Sequence, residues 1–408
     1  MTPIDDARAL VMARCAVLGT VEVAHTEALG MVLAADVTAQ ENVPPFANTA
    51  VDGYAVIATD TANAPVQLEV IGELAAGARP EVSVRPGTAI RIMTGAPIPD
   101  GCDAVVMVED TERIGANAVR VLSSVEIGNA IRSAGSDVTS GTVVFTAGTV
   151  VTPAVMGTLS SINARKVLVY GRARVGVLST GDELVEDDRA LELGEIRESN
   201  RTMLLRLVEQ AGMDAIDLGI VIDDEAVLEK HLYDAVNNLG CDAIVSSGGV
   251  SMGDYDVVKA VLSRIADMSW MQIAMKPAKP FAFGTLQNKN NVSIPVFGLP
   301  GNPVSSIVSF ELLARPALRT MSGFGDRAWR ENVLAVSDED IERRRDGKIH
   351  FDRGFAHFGT DGRVHVRRSG PQGSHQLAAS ALANVLIQVP DGEGVRAGDP
   401  VTVTFLGP

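Results

Sequence analysis

The sequence is poor in aromatic residues, in cysteine and in long apolar runs. Phenylalanine, tryptophan and tyrosine make up 4% of the 408 residues, and aliphatic residues carry most of the 46% apolar content. This balance favours helices packed on parallel sheets over an aromatic-rich binding module. The three cysteines, Cys15, Cys102 and Cys241, are far apart and form no Cys-x-x-Cys pair. A disulfide framework or a structural zinc site is therefore not expected, and a reducing compartment fits.

Basic excess, targeting segments and membrane spans are also lacking. The formal net charge of −16 argues against sequence-independent binding to nucleic acid or to an anionic membrane. The acidic stretch Met1 to Asp6 lacks the basic and apolar regions of a signal peptide. No run approaches the roughly 18 apolar residues of a membrane span. We therefore expect a cytoplasmic protein without nucleic-acid or membrane partners. Local cations can still bind an anionic small molecule, because charges more than about 8 Å apart are screened.

Length and patterning predict four domains, since a chain of 408 residues exceeds one ordinary domain. Residues 1–45 and 140–170 contain helices and strands, and we predict that they are two halves of one N-terminal domain. An inserted β-rich domain at 46–139 separates them, with short β-branched runs between glycine and proline turns. Residues 171–322 alternate strand and helix, which is typical of a doubly wound α/β domain. Residues 325–408 are predicted to form a small β domain, so the fold class is multidomain, α/β plus β.

Two glycine-bearing loops, each following an apolar strand, indicate an active site. Ser179 to Leu184 follows Val175 to Leu178, and Ser247 to Asp254 follows Ala243 to Ser246. Such apolar runs are typical of strands buried on both faces of a parallel sheet. Ligands of doubly wound sheets bind at the carboxyl ends of the strands. Because glycine lets backbone amides approach a bound group, the two loops predict a site for phosphate or another oxyanion.

The second loop carries three glycines, Gly248, Gly249 and Gly253, followed by Asp254 and Asp256 in the first turn of a predicted helix. The functional interpretation is a phosphate cradle whose aspartates hold Mg²⁺. The alternative is an ordinary helix N-cap, where serine and aspartate are common. Three glycines exceed what capping requires, which favours the phosphate cradle.

Asp182 and Glu183 give a weaker signal alone, because adjacent carboxylates are usually solvated. At the end of a neighbouring parallel strand they would face the same crevice as the second loop. A third loop, Pro300 to Ser305, follows another predicted strand. Capping explains Asn302 and Pro303. It does not explain two prolines around a glycine at a third strand end, so we predict a rigid rim that faces an anion.

Lys276 and Lys279 each precede a proline, which disfavours helical backbone and predicts an extended segment. Positions three apart lie on opposite faces of an extended chain, so the two lysines need not reach one ligand. A solvated surface is the alternative. In a chain this acidic, lysines beside an apolar strand are the better candidates for an anion, since one contact at about 4 Å contributes about 4 kcal/mol before desolvation.

Taken in order, these segments resemble the molybdopterin molybdenumtransferases, which insert molybdenum into the pterin of the molybdenum cofactor. The resemblance covers about residues 5 to 405 and is most specific at Ile92 to Pro97, Ser179 to Leu184, Ser247 to Gly253 and Leu299 to Ser305. It implies a homodimer whose α/β domain is similar to molybdopterin adenylyltransferase, with a barrel-like C-terminal domain. That adenylyltransferase and molybdoenzyme maturation proteins are the partners it implies.

The resemblance also implies the reaction and the residue roles. Molybdate and adenylylated molybdopterin would be the substrates, AMP would leave, and Mg²⁺ on Asp254 and Asp256 would assist. The implied catalytic residues are Glu183, Asp223 and Lys276, joined by Asp52 and Thr94 from the opposing subunit. The implied substrate-binding residues are Arg132 and Asp137 of the opposing subunit, together with Thr180, Gly181, Asp182, Ser247, Gly248, Gly249, Ser251, Gly253, Lys279, Pro300, Gly301, Asn302, Pro303 and Ser305.

The sequence departs from the family pattern at three positions. Val51, Gln272 and Ala278 stand where the family usually has methionine, lysine and glycine. The charge lost at Gln272 leaves open a paralogue with another anion preference. Two other functions also stay open: a nucleotidyltransferase on the same fold, and a scaffold or cofactor carrier. Nearly all residues belong to the implied domains, which counts against the scaffold.

Overall fold

The computed structural model describes residues 1–249 and 257–407 and separates into two compact units. One consists of Met1–Val21, Gly30–Ala34 and the chain from Val169 onward, and the other of Glu22–Leu29 and Ala35–Leu168. The predicted four-domain division is finer than these two units and stays a prediction. In the described part of the chain, no helix has the length and apolar character needed to cross a membrane.

The second unit is β-rich, and the predicted β-rich segment at residues 46–139 lies within it. The elements from the N-terminus through this region are α1 (Ile4–Ala13), β1 (Thr20–Ala24), β2 (Val37–Thr38), β3 (Asn48–Thr49), β4 (Gly53–Val56), β5 (Val66–Leu74), β6 (Thr88–Ile92), β7 (Ala104–Met107), β8 (Thr111–Ile114), β9 (Ala118–Val121), β10 (Ile131–Arg132), β11 (Val143–Phe145), α2 (Pro153–Ser161) and β12 (Lys166–Tyr170). Short 3₁₀ turns lie at His25–Glu27, Ala58–Thr61 and Val108–Asp110. β1 pairs with β12, β2 with β11 and β3 with β10.

The main sheet of this unit has the strand order β7-β4-β6-β5-β9-β8. Alternate residues of β4 enter two apolar clusters, Tyr54 and Val56 one of them and Ala55 the other, because successive side chains of a strand point to opposite faces. β4 begins at Gly53, where a Cβ would lie 2.0 Å from the carbonyl oxygen of Val106. Only glycine allows this close approach, which fixes the backbone beside Asp52.

The other unit contains an alternating α/β region. Its elements are β13 (Arg174–Thr180), β14 (Leu184–Val185), β15 (Ile196–Arg197), α3 (Asn200–Gln210), β16 (Asp214–Val221), α4 (Glu225–Asn237), β17 (Ala243–Ser247), α5 (Val257–Ile265), β18 (Ala266–Gln272), β19 (Met275–Lys276), β20 (Pro280–Gln287), β21 (Ser293–Leu299), α6 (Pro303–Ser309), a π-helical turn (Phe310–Ala314) and α7 (Arg315–Met321).

The six-stranded sheet of this region has the order β16-β13-β17-β21-β20-β18. The first four strands are parallel. β20 pairs antiparallel with β21, and β18 pairs antiparallel with β20. α4 and α5 pack together over an apolar cluster that includes Leu178, Ile244 and Val296, whereas α3 packs on β13, β16 and α6. Helices cover both faces, so the predicted doubly wound α/β region is confirmed.

The C-terminal region forms a closed barrel. After a 3₁₀ turn at Gly325–Ala328, its elements are β22 (Asn332–Ser337), β23 (Ile341–Glu342), β24 (Ile349–Phe358), β25 (Val364–Arg368), α8 (Leu377–Ala381), β26 (Val385–Val389), β27 (Gly394–Val395) and β28 (Pro400–Phe405). In the strand order β24-β25-β22-β28-β26 the last strand also pairs with the first, which closes the barrel. β19 pairs with β24 but is not one of these five strands. Closure leaves the five strands without free edges, and the predicted β-barrel-like domain is confirmed.

His365 on β25 lies between two carboxylates of the barrel. Its Nδ1 is 2.7 Å from Asp338 Oδ1 and its Nε2 is 3.2 Å from Asp361 Oδ1. These hydrogen bonds, first to Asp338 and then to Asp361, raise the pKa of His365. A histidine whose pKa is higher in the folded than in the unfolded state stabilises the fold below the unfolded value of about 6.5. The stabilisation disappears as pH rises through the folded-state pKa.

We therefore predict that the His365→Gln variant loses stability relative to wild type below about pH 6.5, and that the difference narrows as pH rises. Urea denaturation across this pH range measures the effect. His231→Gln on α4, where Nδ1 contacts a backbone oxygen of its own helix, is the matched control. Parallel pH profiles of wild type and the His365 variant would contradict the prediction.

Candidate active site

The carboxyl ends of four neighbouring parallel strands surround a cavity of about 580 Å³. The cavity is lined by residues that follow β16, β13, β17 and β21, including Asp223, Gly181, Gly248 and Gly301. The structure thus brings together the first and third predicted loops and the described start of the second, Ser247 to Gly249. Twelve of the predicted site residues line this cavity: Thr180, Gly181, Glu183, Asp223, Ser247, Gly248, Gly249, Lys279, Pro300, Gly301, Asn302 and Pro303.

The remaining predicted residues of this unit are placed differently. Asp182 lies beside the cavity, and its Oδ1 accepts a hydrogen bond of 3.1 Å from the backbone of Asp223. Ser305 is buried in α6, and Lys276 lines another cavity. The predicted phosphate and metal residues Ser251, Gly253, Asp254 and Asp256 lie outside the described residues.

Two glycines shape the cavity through backbone geometry. Gly181 has a φ of +141°, and a Cβ there would lie 2.5 Å from Glu183 Oε2, so the Glu183 carboxylate folds back over this glycine. Gly248 has a φ of +98°, and its Cβ would lie 2.9 Å from the carbonyl oxygen of Thr180. Because the Gly248 amide donates to Leu299 O at 3.1 Å, this residue contributes close approach of the loops and not a donor for an anion.

Carboxylates and cations both line the cavity. Glu183, Glu198 and Asp223 contribute carboxylates, and Arg197 and Lys279 contribute cations. Among residues 1–249 and 257–407, no three histidine, cysteine, aspartate or glutamate side chains are placed to hold a metal ion. Carboxylate oxygens are nevertheless the ligands that Mg²⁺ takes in proteins, usually one or two together with substrate phosphates. The donor set of the cavity therefore fits Mg²⁺ in chemical type.

The segment with the two lysines is not continuously extended, so that expectation was wrong. Ala278 has a φ of +69°, a left-handed conformation that turns the chain between the lysines. Lys279 lines the cavity of about 580 Å³ at the strand ends, which is the larger of the two cavities that these lysines line and is named the large cavity for that reason. Lys276, in β19 beside His350 of β24, lines a second cavity of about 370 Å³. The two lysines therefore need not reach one ligand, but the reason is the turn at Ala278 and not the alternating faces of an extended chain.

The second cavity contains a buried arginine that the sequence analysis missed. Arg353 on β24 is 2% exposed, and its Nη2 donates to Pro371 O and Gly373 O. Its Nε and Nη1 have no partner in the part of the chain that the structure describes. Burial lowers the pKa of Arg353, with Asp352 opposing the shift, and burial raises the pKa of Asp352. The signal was a charged residue two positions after Phe351, where strand alternation predicts an inward side chain.

The cavity wall also contains residues that the sequence analysis did not assign to the site, among them Gln272, which it noted only as a lost charge. Glu198, Ser199 and Asn200 line the large cavity where α3 begins, and Gln272 lines it at the end of β18. Gln272 thus places a neutral amide on the wall where the family pattern has a lysine. Asn302 holds the N-cap backbone position of α6, yet its side chain makes no capping bond to any described residue.

The predicted residues Asp52, Thr94, Arg132 and Asp137 lie in the β-rich unit. Asp52 Oδ1 accepts hydrogen bonds of 2.7 Å from both the backbone amide and the hydroxyl of Thr94. These bonds, the amide first, lower the pKa of Asp52, and the charge of Arg91 acts in the same direction. Arg132 and Asp137 are on exposed segments of this unit.

Three family models match the chain: the MoeA N-terminal region (domain I and II) over residues 2–163, the probable molybdopterin binding domain over 176–320, and the MoeA C-terminal region (domain IV) over 341–406. The molybdopterin molybdenumtransferase of Haemophilus influenzae is 37% identical over 380 residues, which cover 92% of this chain and 91% of the relative. The chain belongs to the molybdopterin molybdenumtransferase family.

Other relatives agree with this membership. Molybdopterin molybdenumtransferase 2 of Mycobacterium tuberculosis is 38% identical over 398 residues, covering 93% of this chain and 94% of the relative. The crystal structure of the molybdopterin biosynthesis MoeA protein from Pyrococcus horikoshii superimposes with a TM-score of 0.79 at 31% identity, over 99% of this chain and 100% of that one. The resemblance read from the sequence motifs is confirmed.

We predict that Thr94→Val raises the pKa of the Asp52 carboxyl group toward its ordinary value, because the hydroxyl donor is lost and only the amide remains. Carboxyl carbon chemical shifts recorded as a function of pH measure the change. Thr59→Val, at an exposed position of the same unit, is the matched control. An unchanged Asp52 titration in the Thr94 variant would show that the hydroxyl bond has no influence.

Proposed function

We propose that this member of the family transfers molybdenum from molybdate to adenylylated molybdopterin and releases AMP. One observation carries the proposal: the described residues that directly follow three neighbouring parallel strands line a single cavity together with Lys279. Its volume of about 580 Å³ lies in the range of cavities that bind small molecules, about 300–1,000 Å³. An adenylylated pterin carries a pyrophosphate, and the ends of parallel strands next to helix starts are suited to such groups.

The residues of the large cavity divide into those that bind and those that orient. Lys279 and the rim from Pro300 to Pro303 bind the terminal phosphate, and the loop after Gly248 cradles it. Glu183 and Asp223 orient the attacking oxygen. We further propose that Asp254 and Asp256, which lie outside the described residues, supply carboxylates for Mg²⁺, which would neutralise charge on the phosphoanhydride as AMP leaves.

Molybdate binds in the second cavity in our proposal. Arg353 presents two N–H groups without described partners, and Lys276, Arg343, Arg344 and Arg368 add positive charge against Glu342, Asp346 and Asp352. An oxyanion accepts hydrogen bonds from such donors and offsets the cost of the buried guanidinium. The site thereby keeps molybdate close to Lys276, three residues from the phosphate-binding Lys279.

The proposal includes a homodimer in which Asp52, Thr94, Arg132 and Asp137 of one subunit complete the site of the other. The two hydrogen bonds from Thr94 to Asp52 Oδ1 support this role, because they hold the carboxylate in one orientation. We also propose the four-domain division, a cytoplasmic location and contact with molybdopterin adenylyltransferase, the enzyme that would produce the adenylylated substrate.

The deciding experiment incubates the purified protein with adenylylated molybdopterin, molybdate and Mg²⁺ and measures AMP release. We expect release that depends on molybdate and disappears when EDTA removes the cation. Absence of molybdate-dependent release, under conditions in which an active relative releases AMP, would reject the proposal. Formation of adenylylated product from molybdopterin and ATP without molybdate would instead support a nucleotidyltransferase.

The second cavity generates a separate prediction. Arg353→Met should raise the KM for molybdate about tenfold or more, because an anion loses charge-assisted hydrogen bonds, while the KM for adenylylated molybdopterin changes little. Lys230→Met, an exposed change of the same charge on α4, is the control. Equal effects of Arg353→Met on both KM values would place molybdate elsewhere.

A further inference from the structure

We infer that Glu198 and Asn200 are positioning residues that brace three strand ends around the large cavity. The inference rests on the proposed function, which assigns the substrate to that cavity. Both side chains belong to the short segment where α3 begins, and both residues line the cavity. From this one segment they reach the ends of β13, β17 and β21.

Asn200 joins two of these ends. Its Nδ2 donates to Ser247 Oγ at 2.7 Å and to Gly301 O at 2.6 Å. Because a carbonyl oxygen only accepts, the bond to Gly301 fixes which side of the amide faces the rim. β17 ends at Ser247, and Gly301 lies two residues beyond the end of β21. One amide group therefore sets the spacing between the glycine loop and the proline rim.

A relay of hydroxyl groups extends this contact. Ser247 Oγ lies 3.3 Å from Ser306 Oγ, and Ser306 Oγ donates to Pro300 O at 2.9 Å. Two successive rim carbonyls, of Pro300 and Gly301, thus accept bonds from side chains. β21 ends at Leu299, so these side-chain hydrogen bonds hold the backbone just beyond the last residue of the strand.

Glu198 holds the third end. Its Oε1 accepts hydrogen bonds from Ser179 Oγ at 2.9 Å and from the amide of Arg201 at 2.6 Å. The guanidinium of Arg201 in turn bonds to Asp217 of β16 and to Glu186, which anchors the start of α3 to the sheet. The Glu198 carboxylate therefore links Ser179, which precedes Thr180 and Gly181, to the anchored start of α3.

The brace includes polar atoms that stability alone does not explain. Glu198 Oε2 and Asn200 Oδ1 are buried and have no partner among residues 1–249 and 257–407. An unpaired buried acceptor costs free energy, and such atoms in native structures call for a functional account. Here each costly oxygen belongs to a side chain whose other atoms connect strand ends at the cavity.

The test measures steady-state kinetics of molybdate-dependent AMP release and amide hydrogen exchange without substrate. Asn200→Asp places an oxygen opposite Gly301 O, so we expect the KM for adenylylated molybdopterin to rise about tenfold or more while kcat changes less than about threefold. Exchange of the amides from Gly301 to Ser306 should accelerate by a similar factor. Asn290→Asp, in an exposed turn, makes the same chemical change and should alter neither.

Glu198 is tested by a conservative rescue. Glu198→Ala should raise the same KM, and Glu198→Gln, which keeps an acceptor for Ser179 and Arg201, should recover most of the loss. A large fall in kcat for Glu198→Gln with unchanged KM would overturn the positioning role in favour of proton transfer or metal binding. Unchanged KM and unchanged exchange in Asn200→Asp would overturn the brace.

The two proposals fail separately. If wild-type protein releases no AMP, the proposed function is rejected, and the exchange comparison between Asn200→Asp and Asn290→Asp still decides whether the brace exists. If Asn200→Asp does not fold, Ser306→Ala removes only the last link of the relay. We then expect about a threefold acceleration of exchange at Gly301, and no acceleration would overturn the brace.

Discussion

The site depends on the register of three parallel strands. Ser179 of β13 is paired with Ser247 of β17, and Ser247 is paired with Leu299 of β21. The strands therefore end at one level, and the loops that follow begin side by side. A shift of one residue would turn each strand's buried side chains to the opposite face, so the packing of the α/β core also fixes where the glycine and proline loops meet.

The same strand ends supply neutral residues to the cavity, among them Ser247, Gly248 and Gly301. Serines and glycines at the strand ends allow the loops to approach closely: a Cβ added at Gly248 would lie only 2.9 Å from Thr180 O. Lys279 enters from β20, next to β21, and Asp223 enters from the far side after β16. Lys279 and Asp223 are consequently supplied by strands on opposite sides of β13, β17 and β21.

The sequence predicted what depends on local pattern. Apolar runs before Gly181, Gly248 and Gly301 indicated buried parallel strands, and their loops do converge. It could not predict the turn at Ala278, because an alanine rarely adopts a left-handed backbone and only the tertiary fold imposes one. It missed Asn200 because the partners of this side chain lie in distant segments of the chain, and no spacing rule relates them. Arg353 could have been found, since strand alternation after Phe351 predicts an inward side chain.

The two lysines illustrate how a small backbone event can determine function. Lys276 in β19 pairs with β24 of the barrel. Lys279 directly precedes β20 and lines the large cavity. Because of the turn at Ala278, one of two lysines three positions apart lies beside the α/β sheet and the other beside the barrel. The sheet and the barrel have separate hydrophobic clusters. Like charges in one site raise the cost of binding both, so separate cavities would let the proposed molybdate and phosphate groups bind without opposing each other. The lysine segment spans both cavities within four residues, and the cavity on the barrel side adds the buried Arg353, whose Nε and Nη1 have no partner among the described residues.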